Sequence, residues 1–132
     1  MVIEEALSAH LLADANVSAL AGTRGYPLLI PQDGDLPAWA FQKISGARLY
    51  SHDGPSGIAW PRFQITCQAA SYSAAKALVN AIRGSLEGYA GTMGGAGGVP
   101  VRGIFVDGEV DGYGFDTGTY TVRLDVIIQH EE

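Results

Sequence analysis

Basic residues are scarce in this chain. Lys and Arg total 8 against 14 Asp and Glu, for a net charge of −6, and they form no run. Duplex binding needs a concentrated cationic surface to displace counterions, so this composition argues against nucleic-acid recognition. Cysteine is scarcer still. Cys67 stands alone, so the fold does not depend on an internal disulfide or an oxidising compartment. No apolar run reaches the roughly 18 residues that mark a membrane helix, and no cationic, then apolar, leader opens the sequence. The expectation is a soluble protein of a reducing cytoplasm.

What is present is an ordinary globular balance. Apolar residues make up 47% and charged residues 17% of 132, enough for one domain over residues 1–132 with a real core. Glycine is abundant at 18 residues, roughly twice average usage. It clusters between periodic segments and predicts several long loops.

The stretch from Ile58 to Leu86 organises the rest. Phe63, Ile65, Cys67 and Ala69 alternate with Arg62, Gln64, Thr66 and Gln68, the period of a half-buried strand. Ser71 or Ser73 can cap a following helix. Ala75, Leu78, Val79, Ile82 and Leu86 share one face of that helix, and Gly88 stops it. Strand and helix can bury their apolar faces against each other.

Before this centre, residues 1–13 read as an amphipathic helix carrying Ile3, Leu7 and Leu11, with Glu4 and Glu5 in its first turn. Asp14 can cap a second short turn that Gly22 ends. His10 reads as a boundary residue with its tip in water. Prolines 27, 31 and 37 confine residues 26–30 to an edge strand. Residues 38–44 alternate as a strand, and the loop 45–57 reads as the tip of a long hairpin or an extended arm. After the central helix, residues 89–98 read as a glycine linker, 99–106 as a strand and 107–118 as an acidic, glycine-broken turn. Residues 119–129 form the clearest strand, and 130–132 a frayed polar tail. The order α–(β)–β–β–α–β–β predicts an α+β fold: a mainly antiparallel sheet of about four to five strands with two helices on one face.

Motif fragments carry little chemistry. Gly94-Gly95-Ala96-Gly97-Gly98 lacks the Lys-Ser/Thr of a phosphate loop and leads into a strand, with no helix N-terminus to hold an anion. Asp107-x-Glu109-x-Asp111-Gly112 begins like a calcium loop, but Gly118 falls where a bidentate glutamate is required. Gly54-Pro55-Ser56-Gly57 is one residue short of a nucleophile elbow. His10, His52 and His130 show no ligand spacing, and nothing near Cys67 in sequence lowers its pKa. No catalytic constellation, metal site or cofactor site emerges. Loop position with aromatic, arginine or polar character instead selects Arg48, Tyr50, His52 and Asp53 in the first loop, and Tyr113 and Phe115 in the acidic turn, as candidate protein contacts.

The ordered series Ile3-Glu4-Glu5-Ala6-Leu7, Tyr26-Pro27, Leu36-Pro37-Ala38, Phe41-Gln42-Lys43-Ile44-Ser45-Gly46 and Tyr50-Ser51-x-Asp53-Gly54-Pro55-Ser56-Gly57 resembles the small tail-completion proteins of long-tailed bacteriophages. So do Arg62-Phe63-Gln64-Ile65-Thr66-Cys67, the helix from Tyr72 to Gly88, and Gly118-x-Tyr120-x-Val122-x-Leu124-Asp125-Val126. The resemblance implies a structural virion protein similar to tail terminators, not an enzyme. Such proteins form a ring, often of six subunits, on the end of the tail tube, where they stop polymerisation and offer a head-joining surface. The implied partners are copies of itself, the tail tube protein and head–tail connector proteins, with no membrane. The implied location is the tail or neck of a virion assembled in the host bacterial cytoplasm. Two alternatives stay open: a head-closure protein between portal and tail, and a small cytoplasmic ligand-binding domain or enzyme using Cys67 or the acidic loop.

Overall fold

A computed structural model describes residues 2–31, 34–46, 48–51, 54–115 and 118–131, with 48–51 and 54–56 described as backbone. Three helices, one more than the expected two because the short turn capped by Asp14 is itself helical, cover one face of a single sheet: α1 (Ile3–Ala13), α2 (Ala15–Ala21) and α3 (Tyr72–Leu86). The strands are β1 (Gly25–Pro27), β2 (Ala38–Ser45), β3 (Arg48–Ser51), β4 (Gly54–Ala59), β5 (Arg62–Ala69), β6 (Gly91–Met93), β7 (Val99–Gly114) and β8 (Thr119–Glu131). The α+β class and the mainly antiparallel pairing agree with expectation. Among the described strands, β1 alone runs parallel, against β2, at the sheet edge.

The strand count exceeds the expected one because long strands are broken. β3 continues β2 beyond Gly46, and β4 leads into β5 across Trp60-Pro61, where proline has no N–H for the ladder. β3 and β4 pair with each other and extend this hairpin into the expected arm. β8 is the central strand, paired with β5 and β4 along one edge and β7 along the other.

The core follows the sequence periods. Phe63, Ile65, Cys67 and Ala69 are buried, and meet Val122, Leu124, Val126 and Ile128 from β8 and Trp39 from β2 in one cluster. Over it lie Leu7 and Leu11 of α1 and Leu78, Val79, Ile82 and Leu86 of α3. Each fully buried side chain of this size contributes about 1.5–3 kcal/mol. The caps match expectation: Asp14 accepts from the Asn16 and Val17 amides at 2.9 and 3.0 Å, and Ser71 from the Ala74 amide at 3.2 Å. Gly22 (φ 57°) and Gly88 (φ 75°) follow the helix ends.

Three segments depart from expectation. Part of the glycine stretch is the short strand β6, with Met93 fully buried, and Gly98 closes so tightly that a Cβ would lie 2.1 Å from the Met93 carbonyl. The tail is not frayed through Glu131: His130 is 6% exposed and pairs with Val101 and Ala59. The acidic segment is not a turn, since β7 continues through it to Gly114. No described helix is long and apolar enough to cross a membrane.

Candidate functional site

Two pieces of the fold carry the residues selected from sequence. The arm β3–β4 holds Arg48 and Tyr50 on its β3 backbone, while His52 and Asp53 lie outside the described residues. Tyr113 and Phe115 sit at the end of the β7–β8 hairpin. Both are exposed, Phe115 at 91%. The structure therefore puts Tyr113 and Phe115 together, with ring centroids 5.2 Å apart and nearly perpendicular.

Their surroundings extend the cluster. Tyr113 packs on Tyr120 of β8 at 4.8 Å, and Tyr120 meets Tyr72, the first residue of α3, edge-on at 6.3 Å. Tyr72 and Tyr120 were not selected from sequence. Tyr120 lies on the strand opposite Tyr113, a pairing that only the hairpin register shows. Aromatic rings offer large contact area at small entropy cost, and exposed clusters of them suit protein contacts.

Charge frames this cluster. The Lys76 ammonium reaches Asp111 Oδ1 at 2.8 Å and Glu109 Oε2 at 2.9 Å, and Tyr72 donates its hydroxyl hydrogen to Asp111 Oδ2 at 2.7 Å. The Lys76 bond first, and then the Tyr72 bond, hold the Asp111 carboxyl below the usual carboxylate range. Asp111 and Glu109 push the Lys76 ammonium above its ordinary value. Asp107 pairs instead with Arg62 on the opposite face of the sheet. Asp107 thus faces away from Glu109 and Asp111, and all three carboxylates of the calcium-like segment are engaged by cations. Among the described residues, no group of three or more His, Cys, Asp and Glu side chains gathers as a metal site.

The other motif residues have structural settings. Cys67 is fully buried, and burial, then Glu109, pushes its thiol pKa up. His10 is half-buried: its Nε2 lies 3.0 Å from Ser85 Oγ, and its ring sits against Tyr89 at 4.6 Å.

Sequence reading also missed two apolar surfaces. A 670 Å³ groove runs between α1 and β2, lined by Ala9, Leu12, Pro27, Leu28 and Phe41 with Glu4, Glu5 and Lys43 among its polar residues. A 420 Å³ cleft on the opposite face holds Trp60, Phe105 and Ile127. Neither had a motif signal, because each is assembled from distant elements.

Comparison with known proteins fits this non-catalytic picture. A chain of a structure described as "Virion of native gene transfer agent (GTA) particle" superposes with a TM-score of 0.79 at 22% identity, over 98% of this chain and 95% of that one. At that identity the likeness shows a shared fold. Comparison with curated proteins found no match. The model of the family described as "Tail completion protein gp17" matches residues 5–131. The chain belongs to this tail completion family and is a structural, non-enzymatic protein.

Proposed function

We propose that this protein completes the phage tail tube by forming a ring on its end. The ring stops further tube polymerisation and presents the surface on which the head is joined. The observation that carries this reading is the family match across residues 5–131. Copies meeting through two different patches form a ring when the rotation between them closes. Two elements are available for such contacts: the arm, with Arg48 and Tyr50, and the hairpin end, with Tyr113 and Phe115; His52 and Asp53, which follow β3 in sequence, are proposed with the first. The net charge of −6 suits a channel for DNA, because it discourages adhesion to phosphate. The partners in this reading are neighbouring copies, the tail tube protein and the head–tail connector, in the tail or neck of the virion.

Light scattering after size exclusion tests the assembly, over a wide concentration range and with purified tail tube added. The proposal expects a closed oligomer, free in solution or on the tube. A chain that stays monomeric and does not bind the tube contradicts it.

A further inference from the structure

The path of β7 contains a device that its sequence hides. Up to Val106 the strand pairs with β8 so that Val106 faces Val126; from Gly108 the register has moved by one, with Glu109 opposite Leu124 and Asp111 opposite Val122. Asp107 is the extra residue of this β-bulge. A one-residue shift exchanges the two faces of a strand. Because of it, Glu109, Asp111 and Tyr113 share the helix-covered face with Leu124, Val122 and Tyr120, while Val110 lies 58% exposed. Without the bulge, Val110 would face α3 and the two carboxylates would face away.

The ribbon beyond the bulge has little else to hold it. Among the described strands, β6 pairs with β7 at Val99, Pro100 and Val101, and beyond them β7 is an edge strand laddered to β8. Gly108, Gly112 and Gly114 interrupt it, and glycine weakens a strand. Side chains tie it down from both faces. Arg62 grips Asp107 outside; inside, Lys76 bridges Glu109 and Asp111, Arg83 reaches Glu109 at a longer 4.0 Å, and Tyr72 donates to Asp111. The Tyr72–Tyr120–Tyr113–Phe115 ring series runs from this latch to the hairpin end.

We propose that Lys76 is a positioning residue for docking: with the Asp107 bulge it latches the β7–β8 ribbon to α3 and so holds Tyr113 and Phe115 in their binding orientation. The proposal rests on the reading of Tyr113 and Phe115 as docking residues. Single exposed ion pairs do little for global stability. The latch acts locally, on a segment with few other restraints.

Hydrogen exchange and tube binding together test it, on the full chain and the Lys76→Met and Lys76→Arg variants. Methionine keeps the aliphatic stem and removes the charge. In Lys76→Met, amides of residues 108–115 should exchange several-fold faster, those of β5 should not change, and binding to purified tail tube should weaken several-fold. Lys76→Arg should recover most of both effects. Unchanged exchange at residues 108–115 in Lys76→Met overturns the latch. Faster exchange with undiminished binding overturns the positioning role, provided the Tyr113→Ala/Phe115→Ala double variant still loses binding. If that double variant binds normally, the docking reading fails and takes the positioning role with it, while the exchange result still reports on the latch itself.

Discussion

Lys76 Nζ lies 2.8 Å from Asp111 Oδ1, joining the second turn of α3 to the part of β7 that lies beyond its bulge. This contact depends on a single inserted residue, Asp107, which sets the face that Asp111 occupies. Its consequences extend to pH, to stability and to the surface offered to partners.

The first consequence is a pH window. Lys76, and then Tyr72, hold the Asp111 carboxyl low, so its stabilising bonds are complete above its unfolded value and lost as pH falls through the folded value. Tyr72 titrates oppositely. Its bond to Asp111 raises its pKa, so that contribution is complete below the unfolded value and lost as pH rises through the folded one. The groups facing this site are Lys76, Tyr72 and Arg83 from α3, Glu109 on β7 and Tyr120 on β8. The Lys76–Asp111–Tyr72 contacts are therefore complete from the ordinary carboxylate range up to the ordinary tyrosine range. An NMR titration of the Asp111 carboxyl carbon should give a midpoint below about 3.9. A midpoint at or above that value contradicts the contact.

Gly25 should not tolerate a side chain. Its φ is ordinary, but a Cβ would lie 2.2 Å from Cζ2 of the fully buried Trp39 ring. Overpacking of this kind costs about 1–3 kcal/mol. Chemical denaturation of Gly25→Ala should show that loss, and an unchanged midpoint would mean the β1–β2 edge yields freely.

Cys67 should be inert in the folded protein, because burial raises the thiol pKa and closes off access. A thiol reagent should label it at the unfolding-limited rate. Cys67→Ser should cost about 1–3 kcal/mol by burying a hydroxyl among apolar neighbours, while tube binding persists. Rapid labelling under native conditions would contradict its placement in the core.

The proposed contact residues separate folding from docking. Tyr113→Ala/Phe115→Ala and Arg48→Ala/Tyr50→Ala should each weaken assembly. The first pair is exposed, and losing the Tyr113–Tyr120 ring contact should cost about 0.5–1.5 kcal/mol, too little to unfold the chain. Unchanged assembly in either variant removes that element from the interface.

Legibility in the sequence tracked unbroken periodicity. β5 and α3 were readable because Phe63 to Ala69 alternate cleanly and Ala75 to Leu86 hold one helical face. β7 was not, because bulges at Arg102 and Asp107 each reverse its alternation. Val101, Ile104, Val106, Glu109, Asp111 and Tyr113 therefore share a face without any fixed spacing. The same bulges hid the latch, since nothing in the sequence indicates that Lys76 meets Glu109, 33 positions away. His130 looked like tail because its burial comes from Val101 and Ala59, far away in the chain. Exposed aromatics at the hairpin end were legible as types, whereas their ring contacts required the register.

Tail-tube polymerisation in the presence of this protein separates a tube-ending ring from any other role. Purified tube protein is assembled with and without the chain, and tube lengths and ends are measured by electron microscopy. The tubes should be shorter and carry a ring of this protein at one end, with no further growth from that end when fresh tube protein is added. Tubes of unchanged length with bare ends, at protein concentrations well above the tube ends, would contradict it.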